Sequence, residues 1–176
     1  SSDSILSGFE DAMKEGPLAR EQVRGCKFTF HHFVPHEDPA HRGLSQLGPA
    51  SRRACMGVMC LAQPVLLEPT LGIEVRVPQD LIGDVAGVIS GKRGKVLNME
   101  QKGIVSIVTG EIPASETFDL SEVMRGQTAG KAMWNTHFKA WTPIPNSILP
   151  TIIAEIRKRK GLAPEPPTAE EFIDKE

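Results

Sequence analysis

The sequence predicts an α+β protein that contains a four-stranded antiparallel unit, with helices and one strand-like stretch before it and a helix after it. Two patterns carry this prediction. Between residues 66 and 143 the apolar side chains alternate singly in four stretches and recur at helical spacing in two more, in the order βαββαβ. Residues 1–65 and 144–176 show helical stripes, with one strand-like stretch in the first segment. The 176 residues are 40% hydrophobic and 24% charged. They suffice for one ordinary domain or two small ones, with roughly 70% of the unfolded chain's surface buried.

The elements follow in chain order. Ile5, Leu6, Phe9, Ala12 and Met13 recur at helical spacing after Ser2-Asp3, and Gly16-Pro17 ends the pattern, so the first element is an amphipathic helix. Residues 26–34 read as a strand with both faces covered: Cys26, Phe28, Phe30, His32 and Val34 share one face, and Lys27, Thr29, His31 and Phe33 the other. From Pro35 to Gly48 no period is visible, and two prolines, two glycines and two histidines mark a long loop of the kind that carries function. Pro49 suits the first turn of a helix whose face is Ala54, Cys55, Val58, Met59 and Ala62, ending at Gln63-Pro64.

In the middle segment Leu71, Ile73, Val75 and Val77 alternate up to Pro78. Leu81, Ile82, Val85, Val88 and Ile89 form a helical stripe, and Gly91-Lys92-Arg93-Gly94 turns into a strand near Lys95–Met99. After Gly103 come a strand over residues 104–112, a short helix around 119–125, and a last strand in which Trp134, Thr136, Phe138 and Ala140 alternate with polar residues. This order is the ferredoxin-like arrangement, two helices over one face of a four-stranded sheet. A final helix runs from near Pro150 through Ile152, Ile153 and Ile156 to Arg157-Lys158-Arg159-Lys160, with Gly161 as its stop. Residues 163–176, rich in proline and glutamate, read as a loosely held tail.

Composition excludes several classes. The formal charge of −2 provides no overall field toward RNA or membrane, so any nucleic-acid contact is local. Cys26, Cys55 and Cys60 are an odd number without a CxxC pair, which reads as reduced thiols in a cytosolic protein. No stretch approaches the roughly 18 apolar residues of a membrane span. The start shows no signal region and no Met, and the chain reads as part of a longer protein.

A nucleotide site needs a glycine loop ending in Lys-Ser or Lys-Thr. The nearest match, Gly126 to Ala132, has three residues between its glycines and no hydroxyl after the lysine, and reads as a turn. His31, His32, His36 and His41 lie near Cys26, but His31 and His32 point to opposite strand faces and Cys55 and Cys60 are five apart, which makes no four-ligand zinc cluster. A cysteine nucleophile is disfavoured because both helix cysteines fall in the apolar stripe. Of the basic residues, Arg52, Arg53, Lys92, Arg93 and the run 157–160 fit solvated helix ends and turns. Arg42 is the exception, for it shares the long loop with His36, His41 and Gln46, a set suited to irregular RNA.

Several segments in register then carry a resemblance: Glu15-Gly16-Pro17-Leu18-Ala19, Val23-Arg24-Gly25, His36-Glu37-Asp38-Pro39-Ala40-His41-Arg42-Gly43, Ala62-Gln63-Pro64, Leu67-Glu68-Pro69, Lys92-Arg93-Gly94, Ile112-Pro113, Arg157 to Leu162 and a late Asp174-Lys175. Together they resemble the distal part of the archaeal and eukaryotic elongation factor 2 family over nearly the whole chain. The resemblance implies that residues 1–65 are the distal part of a ribosomal-protein-S5-like fourth domain with its tip loop. It further implies that residues 66–143 are the ferredoxin-like fifth domain, and that residues 144–176 return to complete the fourth.

It also implies a function. In that family the histidine before Arg-Gly is converted to diphthamide, the residue that certain bacterial toxins ADP-ribosylate, and here that position is His41. His36, Asp38, Arg42 and Gln46 align with its neighbours in a loop that enters the decoding centre. The implied partners are the ribosome, through decoding-centre RNA, the codon-anticodon duplex and the stalk base, together with the diphthamide-synthesis enzymes, in the cytoplasm and with no membrane. The implied protein has no cofactor in this portion, with GTP and magnesium held by an N-terminal domain outside the sequence. The loop departs from the family pattern at Pro39, Ala40 and Leu44-Ser45. The second reading is an elongation-factor-like GTPase that works in ribosome assembly.

Overall fold

The computed structural model describes residues 2–173 and divides the chain into two compact units. One comprises the residues up to Leu66 together with those from Pro145 onward, and the other is Leu67–Ile144.

The second unit is the regular one. Its strands are β1 (Leu67–Pro78), β2 (Lys95–Lys102), β3 (Val105–Pro113) and β4 (Met133–Pro143), in the antiparallel order β2-β3-β1-β4. Helices α3 (Ile82–Gly91) and α4 (Leu120–Thr128) supply Val85, Val88, Ile89, Leu120 and Met124 to the core. The period-2 alternation of β1 places Ile73, Val75 and Val77 in that core. The register sets Val75 opposite Val108 and Leu71 opposite Ile112. The ferredoxin-like order read from the sequence is therefore the observed one, with β1 starting at Leu67, four residues earlier than its alternation indicates.

The basic turn after α3 is held by carboxylates. Arg93 adopts a left-handed backbone (φ 53°), and its guanidinium donates to both Glu68 oxygens at 2.8 and 2.9 Å and to Glu116 at 2.8 Å. This fork-to-fork pairing binds the start of β1 to the turn and pushes the guanidinium pKa still higher, the Glu68 bond being the largest cause. Lys92 reaches Asp119 at 2.5 Å and holds its carboxyl below the usual carboxylate range.

The first unit is built around two helices, α1 (Ser2–Lys14) and α2 (Leu44–Leu61). They meet backbone to backbone: a Cβ on Gly8 would lie 2.1 Å from the Gly48 carbonyl oxygen, and Ser51 donates its hydroxyl to the Ile5 carbonyl at 2.8 Å. Ala12, Met56 and Met59 form the small core, with Met13, Val23, Phe28, Cys55 and Phe172 against it. Helix α5 (Leu149–Arg159) completes the unit. Its Arg157 is buried and donates to the carbonyls of Ala163 and Leu18, while Lys160 caps those of Ala19 and Arg20 and pairs with Glu21. The basic end of α5 thus clamps the Gly16–Glu21 turn, which has its own Gly16 to Glu21 backbone bond of 2.8 Å.

Three expectations for this unit are corrected. Residues 26–34 form no strand: they pair with no ladder, and Phe30, His31, His32 and Val34 are exposed rather than covered. Alternation makes a strand only where a neighbouring strand takes up its backbone groups, and no other strand belongs to this unit among the described residues. Helix α2 begins at Leu44, not Pro49, which makes Pro49 its sixth residue. Pro49 and Ser45 are both exposed, so the Ser45 carbonyl that lacks a proline N–H lies on the wet side of the helix. Its buried residues are Gly48, Met56 and Met59, whereas Val58 and Ala62 are exposed. The tail is not loose up to residue 172: Ala169–Phe172 form a 3-10 turn closed by a Thr168–Glu171 capping box, and Phe172 packs on the core. Asp174-Lys175 lies outside the described residues.

Candidate functional site

The 35–48 loop is shorter and more ordered than its composition indicates. Pro39–Arg42 form one 3-10 turn, since proline suits its first position and Asp38 caps it by accepting from the Ala40 N–H at 2.9 Å. Pro39 and Leu44, two of the departures from the family pattern, are thus the first residues of the turn and of α2.

All five site residues read from the sequence lie together here. His36 and His41 face each other with ring centroids 4.6 Å apart at 58°. His36 Nδ1 accepts from the Asp38 N–H at 3.1 Å. His41 Nδ1 lies 3.0 Å from Gln46 Oε1, and its Nε2 lies 3.9 Å from Asp38 Oδ2. Arg42 turns inward, donating from Nε to the His36 carbonyl at 2.6 Å and from a terminal nitrogen to the Glu37 carbonyl at 2.8 Å. Sequence reasoning missed the Glu37 carbonyl and the inward turn of Arg42, because a main-chain acceptor leaves no mark in residue type. The loop is exposed, with the His41 side chain 49% accessible, yet its own bonds hold it closed.

The other candidates are dispersed. Cys26 is exposed, and Cys55 and Cys60 are half-buried on α2, where burial pushes both thiols up and Glu171 adds to the effect at Cys60. Among the described residues no three His, Cys, Asp or Glu side chains are placed to hold a metal ion. No helix among the described residues is long and apolar enough to cross a membrane.

One unit is thus a four-stranded ferredoxin-like sheet with its helices, and the other is a helical unit with an ordered, histidine-bearing loop. Residues 2–63 match the family model for elongation factor G, domain IV, and residues 65–162 that for the elongation factor G C-terminus. The chain belongs to this family, and within it to the C-terminal part of elongation factor 2. It is 72% identical to elongation factor 2 of Cenarchaeum symbiosum over 176 residues, all of this chain and 24% of that protein. It is 50% identical to elongation factor 2 of Sulfurisphaera tokodaii over 171 residues, 97% of this chain and 23% of that protein. A crystal structure of a Thermus thermophilus protein superposes with a TM-score of 0.70 at 28% identity, covering 89% of this chain and 24% of that one. The chain therefore spans about a quarter of the length of the relatives it matches.

Proposed function

We propose that this chain is the ribosome-facing end of a factor that promotes GTP-dependent translocation of transfer and messenger RNA. The loop 36–46 enters the decoding centre, and the ferredoxin-like unit lies near the stalk base. GTP and magnesium are bound by the remainder of the protein, which works in the cytoplasm. His41 is the residue converted to diphthamide, and the modifying enzymes read the loop around it.

The observation that supports this reading is the construction of the loop. His36, Asp38, His41, Arg42 and Gln46 converge on one exposed segment that is ordered by its own hydrogen bonds. A surface that must meet irregular RNA gains affinity from being ordered beforehand, because less conformational freedom is lost on contact. Such recognition uses side-chain and main-chain polar groups on an exposed loop rather than a broad basic face, and the net charge of −2 agrees with local contact.

Peptide mass spectrometry of the loop, on protein purified from its native host, tests this. A diphthamide mass on His41 is the expected result. An unmodified His41 in a host that modifies its other elongation factors would instead favour the ribosome-assembly reading.

A further inference from the structure

Phe118 stands almost wholly in water, 92% exposed, on the corner between β3 and α4. The other exposed phenylalanine and tryptophan of its unit, Phe138 and Trp141, rest on each other with ring centroids 6.1 Å apart. The corner that carries Phe118 is nonetheless fixed on both sides. Before it, Glu116 accepts from Arg93 at 2.8 Å, and the Thr117 hydroxyl and N–H both donate to the Ala114 carbonyl, at 2.7 and 3.2 Å. After it, Asp119 pairs with Lys92, and Leu120 is buried in the core. Fixing the neighbours of a ring that buries so little gives this unit no apolar contact of its own. It removes in advance the ordering cost of a contact made elsewhere.

The charges that hold the corner decide what kind of surface fits it. Lys92 and Arg93 face Glu68, Glu116 and Asp119, three carboxylates to two cations. A nucleic-acid base stacked on the ring would bring its phosphates toward that excess of negative charge, so the ring suits an apolar socket of a protein. Area then separates the possible sources. One phenylalanine offers roughly 200 Å², against about 800 Å² on each side of a stable interface between separate proteins. A contact this small forms only where a tether raises the effective concentration of its partner. Such a tether is available, because this chain covers only 24% of its 72%-identical relative.

We propose that Phe118 is the anchor by which the ferredoxin-like unit docks on the portion of the factor outside this chain. Its ring enters an apolar socket there, and the paired charges of Lys92, Arg93, Glu116 and Asp119 form the rim of the contact. The proposal requires the length of the whole factor and not its action on the ribosome.

Hydrogen–deuterium exchange of the free full-length factor tests this, with wild type, Phe118→Ser, Phe118→Leu and Ile104→Ser compared. Phe118→Ser should speed exchange in a segment outside these 176 residues by roughly tenfold, the factor set by losing one buried apolar side chain, while β1–β4 exchange as in wild type. Phe118→Leu, which still fills an apolar socket, should keep most of that protection. Ile104 is 91% exposed before the start of β3, at the opposite end of the strand, so Ile104→Ser removes an equally exposed apolar side chain and should change nothing outside the chain. Unchanged exchange outside the chain in Phe118→Ser overturns the proposal, and so does an equal effect of Ile104→Ser. Faster exchange throughout β1–β4 in Phe118→Ser would show that the ring supports its own unit, which also overturns it. If Phe118→Ser leaves the free factor unchanged but weakens its co-sedimentation with ribosomes, the ring meets a ribosomal surface and the socket within the factor is excluded.

Discussion

Single residues carry consequences that composition does not reveal. Ser106 is fully buried within β3, and its hydroxyl has no hydrogen-bond partner among the described residues. A buried polar group left unpaired is unfavourable, so Ser106→Ala should stabilise the unit by about 1 kcal/mol. A higher urea midpoint at unchanged m-value is the check, and a lower midpoint would show that the hydroxyl is bonded. The candidate site shows how far residue types can be read. His36, Asp38, His41, Arg42 and Gln46 were legible as members of one loop, since they lie within eleven positions and the family resemblance marks them. Their roles were not legible, because Arg42 spends its donors on main-chain carbonyls and Gln46 belongs to a helix that the sequence places further on. A guanidinium in a polar loop reads as a phosphate ligand until the carbonyls it meets are known.

Elements depend on what they pack against. The contact of α1 with α2 is close because neither Gly8 nor Gly48 has a side chain, and the Gly8 position leaves no space for a methyl group. Gly8→Ala should force the helices apart at a cost of about 1–3 kcal/mol, since overpacked helix contacts relax only partly. Hydrogen exchange should then show reduced protection of α1 and α2 amides. Element type was most legible in the ferredoxin-like unit, where each strand and helix shows its own period within ten or so residues. It failed for residues 26–34, whose alternation is as clear as that of β1. The difference is that β1 lies between β3 and β4, whereas residues 26–34 have no strand to pair with among the described residues. An open apolar groove of about 730 Å³ runs beside this segment, lined by Ile5, Leu6, Phe9, Phe28, Phe30 and Val58 among others.

At the scale of the whole chain, the first unit is closed by residues from both ends of the sequence. Arg157 reaches the Leu18 carbonyl across 139 positions and Lys160 reaches Ala19 across 141. Arg157→Met keeps the apolar stem but removes both charge-assisted bonds and leaves two carbonyls to find water, a loss of about 2–3 kcal/mol. It should lower the unfolding midpoint and release exchange protection in the Gly16–Glu21 turn. Arg157→Lys should not restore it, because one ammonium cannot reproduce the spread of the guanidinium fork. Unchanged protection in Arg157→Met would mean that the turn's own Gly16–Glu21 and Met13–Val23 backbone bonds suffice.

What the sequence alone determined is the set of local periods, and with it the α+β class, the βαββαβ order, the final helix with its glycine stop, and the loop that holds His41. Those properties depend on neighbours two to four positions apart, where backbone geometry acts directly. Only the tertiary structure decided that residues 26–34 stay unpaired, that α2 starts at Leu44, that Phe172 brings the tail onto the small core of the first unit, and that Arg42 faces inward. Each of these depends on a partner's position rather than on the residue's own preference, and hydrogen bonds and apolar contacts form only where the fold brings both partners together.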